Sequence, residues 1–225
     1  MTLFKRSGLA VHKIAEYIGW KPETIYQVGV GQNHQETEVM QGEWPDVKIF
    51  GAEPHPKIIE SVQDRYPGKL FPVAISDYEG EATLYSKSSH KDGSSLYPHN
   101  KHPNDNTITV PVTTVDKLWS NGPEKLPCLF WLDCEGSEYP ALCGAEEFVK
   151  KVDVINIEIT GGNLGVGRSD PKLIHLWIKN HGFRRQWTHT QRAHIGQCDV
   201  IYVRPHLFRA DICCCQCELC DERYS

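Results

Sequence analysis

The chain has 225 residues, 40% hydrophobic and 10% aromatic, which suits one substantial core better than two. A formal charge of -5 argues against a nucleic-acid-binding surface, because that affinity comes largely from clustered Lys and Arg. Lys5, Arg6, Lys13 and Glu16 interrupt the apolar residues near the start, so neither a signal peptide nor a spanning helix is expected there; a soluble, cytoplasmic protein without a membrane partner is the reading.

Ala10, Ile14, Tyr17 and Ile18 recur at helical spacing, predicting an amphipathic helix over Ser7 to Ile18 within an N-terminal segment 1–23. A strand follows over Thr24 to Val28, then Gly29-Val30-Gly31 and a helix from Gln35 to Gln41. Val47 to Ala52 reads as a second strand, and Ile58, Ile59, Val62 and Tyr66 mark a helix that stops at Pro67-Gly68. Leu70 to Ile75 reads as one third strand, and Glu81 to Tyr85 and Thr107 to Thr113 as further strands flanking a long polar loop, Ser86 to Asn106.

Val115 to Trp119 reads as a short helix and Leu129 to Leu132 as a buried strand; from Ser137 a helix face runs through Leu142, Ala145, Phe148, Val149 and Val152. Val154 to Ile159 is a fifth apolar strand. Asp170-Pro171 then pairs a capping acid with proline at the first helical position, with Leu173, Ile174 and Trp177 expected in the core. Phe183 to Trp187 and Asp199 to Val203 read as a closing antiparallel pair around a turn, Thr188 to Gln197. Alternation of buried strands with helices implies a domain over 24–205 with a mostly parallel sheet covered on both faces.

Ligands of such sheets bind beyond the carboxyl ends of the strands, and the residues there are polar. Gly29 and Gly31 permit close backbone approach, and Glu53, 22 residues after Gly31, stands where an acid accepts from ribose hydroxyls. No third glycine follows, since Asn33 and His34 occupy that place, so a cofactor with ribose but no pyrophosphate fits better than a nicotinamide dinucleotide. Ser76-Asp77, Asp133-Cys134-Glu135 and Glu158 end the other strands. Asp133, Glu135 and Glu138 are candidate catalytic bases; Asp133 with Glu158 is a candidate Mg²⁺ pair; helix-dipole stabilisation is the competing explanation for Glu135 and Glu138.

The segments Tyr26-Gln-Val-Gly-Val-Gly31, Gly51-Ala-Glu-Pro-His-Pro56, Val73-Ala-Ile-Ser-Asp77, Val112-Thr-Thr-Val-Asp-Lys-Leu118 and Asp133-Cys-Glu-Gly-Ser-Glu138, in this order, resemble the motifs of FkbM-type methyltransferases. The resemblance implies a Rossmann-like, seven-stranded α/β fold with a C-terminal antiparallel strand. It also implies S-adenosylmethionine as methyl donor and O-methylation of a small acceptor, carbohydrate-like by preference. Carried over, Gly29 and Gly31 would line the methionine part, Glu53 would hold the ribose, Ser76 and Asp77 would border the adenine, and Asp133 would lie by the reacting methyl. Gln27 stands where the family usually has Asp, toward the cofactor's amino group.

Three loops are candidates for the acceptor side: Ser86 to Asn106 with His90, His99 and His102; Gly161 to Gly167; and the turn with His189, Gln191, Arg192 and His194. The tail over 206–225 holds Cys213, Cys214, Cys215, Cys217 and Cys220; Cys213, Cys217 and Cys220 are candidate zinc ligands, with disulfides, lipidation or an unstructured redox-sensitive end as alternatives. A homo-oligomer, a nicotinamide oxidoreductase and a non-catalytic binding module on the same fold stay open.

Overall fold

A computed structural model of the protein describes residues 7–32, 35–86, 93–98, 106–120, 122, 124–160, 167–192 and 197–212. Its centre is a seven-stranded sheet made of β1 (Thr24–Val28), β2 (Lys48–Ala52), β3 (Lys69–Phe71), β7 (Cys128–Leu132), β8 (Val154–Thr160), β9 (Arg184–Arg192) and β10 (Gln197–Val203). They lie in the order β3-β2-β1-β7-β8-β10-β9, and β10 alone runs against its neighbours. Every residue of β1 and β7 is buried, as expected of central parallel strands with helices on both faces.

Two cores cover the two faces. On one face α1 (Ser7–Ile18), α2 (Gln35–Glu43) and α3 (Pro56–Val62) pack Val11, Ile14, Met40, Ile58 and Val62 against Ile25, Leu129 and Trp131. On the other, α4 (Val115–Leu118), α5 (Glu138–Cys143) and α6 (Pro171–Asn180) pack against Tyr26, Phe130 and Ile157. There Tyr26 stacks on Phe50 at 4.8 Å and meets Trp119 and Phe148 edge-on at 4.6 and 4.9 Å. Buried aromatic side chains each contribute on the order of 2 kcal/mol or more, so this cluster pins β1, the strand that carries the glycine turn. No helix among the described residues is long and apolar enough to cross a membrane.

The expected third strand is two strands. β3 ends at Phe71, and β4 (Ala74–Ile75) belongs to a separate three-stranded sheet with β5 (Gly80–Ser86) and β6 (Asn106–Thr113), in the order β4-β6-β5. Pro72 has no amide to continue the ladder, and Val73 N donates back to Phe71 O at 2.9 Å, so the chain turns out of the main sheet. The small sheet has its own core of Ala74, Leu84, Val110 and Val112.

Three further expectations need correction. The helix predicted from Ser137 to Val152 stops at Cys143, and a new 3₁₀ turn begins at Phe148 because the Asp116 carboxylate accepts from Glu147 N and Phe148 N. Leu173 is 44% exposed, one position off the buried stripe of Ile174, Trp177 and Ile178; the Asp170 cap and Pro171 stand as expected. The closing strands are longer than predicted, so Thr188 and His189 lie within β9 rather than in a turn.

Gly144 ends α5 where a Cβ would stand 2.2 Å from Ser76 O, so the small sheet approaches α5 through a position that tolerates no side chain. Gly144→Ala should therefore lower stability by about 2 kcal/mol through overpacking, read as a lower urea midpoint with unchanged slope.

Candidate functional site

A cleft of about 270 Å³ opens at the carboxyl edge of the main sheet, between the ends of β1, β2 and β7 and the small sheet. Val28 to Gly31 and Glu53 form one wall, Asp133 to Glu135 and Ser137 a second, and Val73, Ile75, Leu84 and Leu96 an apolar third. Gly29 and Gly31 have φ of +82° and +69°, a region that favours glycine. At Gly29 the demand is steric as well: a Cβ would stand 1.8 Å from Asp133 O. The glycine turn and the acidic turn thus touch through bare backbone.

Glu53, 4% exposed, is fixed by that turn: Oε2 accepts from Val30 N at 3.2 Å and Gly31 N at 3.1 Å, and Oε1 from His55 N at 2.9 Å. Gln27 is buried behind the turn and does not line the cleft; its Oε1 accepts from Thr37 Oγ1 at 2.6 Å and Tyr66 Oη at 3.1 Å. It ties α2 and the chain after α3 to β1. Ser76 and Asp77 also lie outside the lining, which stops at Ile75; Ser76 Oγ donates to Asp77 Oδ1 at 3.2 Å.

Three segments hold the acidic turn. Asp133 N donates to Val28 O at 2.9 Å, Ser95 Oγ to Glu135 O at 2.7 Å, and Ser169 N and Oγ to Gly136 O at 2.9 and 2.8 Å. Glu135 has φ +53°, a left-handed conformation that costs a non-glycine residue roughly 1 kcal/mol and is maintained here by those ties. Glu138 is buried, and its Oε1 accepts from Gly136 N at 2.9 Å, so it braces the turn and stands outside the cleft lining.

The sequence matches the methyltransferase FkbM domain over residues 27–185, more than two thirds of the chain. The chain belongs to the FkbM methyltransferase family. No curated protein matches it. Among solved structures, a provisionally named rRNA methylase from Clostridium thermocellum is 12% identical, covers 89% of this chain and 97% of its own, and has a TM-score of 0.52. Magnesium protoporphyrin IX methyltransferase from Synechocystis PCC 6803 with bound SAM is 8% identical over 91% of this chain and 85% of its own, TM-score 0.47. Aeropyrum pernix fibrillarin with natively bound S-adenosylmethionine is 12% identical over 85% and 73%, TM-score 0.44. At such identities the first of these speaks for fold alone: the Rossmann-like, seven-stranded arrangement of S-adenosylmethionine-dependent methyltransferases.

This FkbM-family site gathers Gly29, Gly31, Glu53, Asp133 and Glu135 around one cleft. Glu158 adjoins them: one oxygen each of Asp133, Glu135 and Glu158 lie within 4.8 Å of one another. Burial, then the neighbouring carboxylates, push Asp133 well above the usual carboxylate range; the same causes push Glu158 up to about 8. Glu36, Ser137, Gln197 and Asp199 were not singled out from sequence. Glu36 and Ser137 line the cleft, Gln197 Nε2 donates to Glu158 Oε1 at 2.6 Å, and Asp199 on β10 pairs with Glu158 on β8. The signal that would have found Gln197 and Asp199 is polar residues inside a strand whose every residue is buried. His90, His99, His102, His194, most of the glycine loop after Thr160, and Cys213, Cys217 and Cys220 lie outside the described residues.

The raised Glu158 has a thermodynamic consequence. Folded, it keeps its proton to about pH 8, whereas an unfolded Glu releases it near 4.5. The native state binds more protons across that interval, so stability falls as pH rises from about 4.5 to about 8 and levels off above it. Thermal melts in EDTA over this range should show the decline, and Glu158→Gln should flatten it; parallel slopes for the two proteins would remove Glu158 as its cause.

Proposed function

We propose that this chain transfers the methyl group of S-adenosylmethionine to a hydroxyl oxygen of a small polar acceptor, a sugar-like polyol by preference, at Asp133. The observation that supports this most is the convergence, on one cleft, of the glycine turn, the backbone-anchored Glu53 and the carboxylate of Asp133. Glu53, locked by three backbone amides, presents its carboxylate to the ribose without reorganising when the ligand enters. The apolar wall of Val73, Ile75, Leu84 and Leu96 suits the adenine ring. Gln27 and Ser76-Asp77 act from behind that lining, setting the turn and the strand end.

The transfer is an in-line displacement: a C–O bond forms as the C–S bond breaks, sulfur keeps the electron pair, and the hydroxyl proton passes to a carboxylate. The protein has to align the acceptor and take that proton. Asp133 opens the acidic turn, directly against the glycine turn, and burial among other carboxyl groups raises its proton affinity, which favours its taking the hydroxyl proton. Glu135 and Glu138 are its neighbours in the same motif; Glu135 faces the cleft, and Glu138 holds the turn.

Calorimetric titration with S-adenosylhomocysteine tests the cofactor half: binding by the native chain is expected, and Glu53→Gln should weaken it on the order of tenfold, because an amide nitrogen would meet the Val30 and Gly31 N–H groups. A native chain that does not bind would sink the reading. For the acceptor half, methyl-labelled S-adenosylmethionine offered with a panel of free and nucleotide-linked sugars should label a product. Asp133→Asn should cut that labelling about 100-fold while leaving S-adenosylhomocysteine affinity in place; undiminished labelling would take the proton-accepting role from Asp133.

A further inference from the structure

Asp133, Glu158, Asp199 and His189 follow one another across the sheet. Leu132, next to Asp133, pairs with Ile157, next to Glu158; Glu158 pairs with Asp199, and Asp199 with His189. Methyl transfer as argued above uses only the first of these. Three carboxylate oxygens, from Asp133, Glu135 and Glu158, approach within 4.8 Å, and among the described ion pairs only Arg168 reaches them, its Nη1 3.9 Å from Glu135 Oε2. One guanidinium thus faces three carboxyl groups.

A second, independent feature marks the same place. Gln197 is 7% exposed, and its amide is held against Glu158 by the 2.6 Å bond from Nε2, yet its carbonyl Oε1 is buried with no hydrogen-bond partner. Asn156, two residues before Glu158 on the same face of β8, is 1% exposed with neither amide atom bonded. A buried carbonyl left without a donor is costly, and this one belongs to the side chain whose amide nitrogen meets Glu158. Oxygens around a six-coordinate Mg²⁺ at roughly 2.1 Å stand roughly 3 to 4.2 Å apart, close to the spacing these carboxylates already have.

We infer that Asp133, Glu135 and Glu158 bind a hard divalent cation, Mg²⁺ or Mn²⁺, with Gln197 Oε1 accepting from a water on the ion. Oxygen-only ligands select such ions over Zn²⁺ or Cu²⁺. Gln197 is a positioning residue: Nε2 orients Glu158, and Oε1 orients the water. The site stands on the carboxyl geometry, whereas its use rests on the methyl-transfer reading. At the acceptor end of the cleft a divalent ion selects acceptors with two adjacent hydroxyls, which it chelates together, over those with an isolated one.

Mn²⁺ is the probe. Titrated into metal-free full-length protein and followed by the loss of free-ion electron paramagnetic resonance signal, it should bind once per chain at the cluster without any cofactor. Glu158→Gln and Glu135→Gln should each weaken that binding about tenfold or more, and Gln197→Leu should do so while S-adenosylhomocysteine affinity is kept. Protein that binds S-adenosylhomocysteine but takes up no Mn²⁺, or Mn²⁺ uptake equal in native chain and both Gln variants, overturns the site. Mn²⁺ uptake that depends on Glu158 and Glu135 supports it even if S-adenosylhomocysteine fails to bind, which would instead overturn the methyl-transfer reading.

Discussion

The site depends on one contact between two stretches of backbone. β1 and β7 are adjacent parallel strands, and where they end, Gly29 turns one way with its amide donating to Ala52 O at 2.9 Å while Asp133 N donates to Val28 O at 2.9 Å. The Asp133 carbonyl then occupies the space that a side chain at position 29 would need. Because this approach is closed by hydrogen bonds on both sides, the glycine turn and the acidic turn keep a fixed separation. A cofactor and a reacting carboxylate seated as proposed would inherit that geometry from the sheet.

Much of this was legible in the sequence because the signals are local. The alternation of buried strands and helices, the glycines of the first turn and the acid ending β2 each lie within a few residues of the element they define. What stayed hidden was set by pairing at a distance. Pro72 divides what hydropathy reads as one strand, and only the competition between two sheets decides where the second half goes. Gln27 reads as a cofactor residue because it sits in the glycine motif, yet its partners Thr37 and Tyr66 arrive from 10 and 39 residues away. Gln197 and Asp199 become part of the site only through an antiparallel register with β8 that no periodicity reports.

The electrostatics divide the cleft in two. On the side of β2 the acid is Glu53, whose oxygens already meet backbone amides. On the side of β8 the acids meet mainly one another, and burial raises Asp133 and Glu158 together. Carboxyl groups so placed favour anything that brings positive charge or a proton, whether a sulfonium, a metal cation, or a hydroxyl that must lose its proton.

The two halves also differ in what restrains them. Glu53 is tied by backbone within its own strand end and the adjacent turn, so the cofactor side belongs to the sheet. Glu135 is tied by side chains from elsewhere, Ser95 from the segment after β5 and Ser169 through Gly136, with Arg168 beside it. Ser95 is itself bridged to Tyr85 by two backbone hydrogen bonds, 2.8 and 2.9 Å. A displacement of the small sheet would therefore pull on the carbonyl of Glu135, the one non-glycine residue at positive φ among the described residues. Releasing that tie returns roughly 1 kcal/mol of backbone strain. The joint between the small sheet and the acidic turn is thus the strained Glu135, whereas Glu53 is tied within the edge of the main sheet.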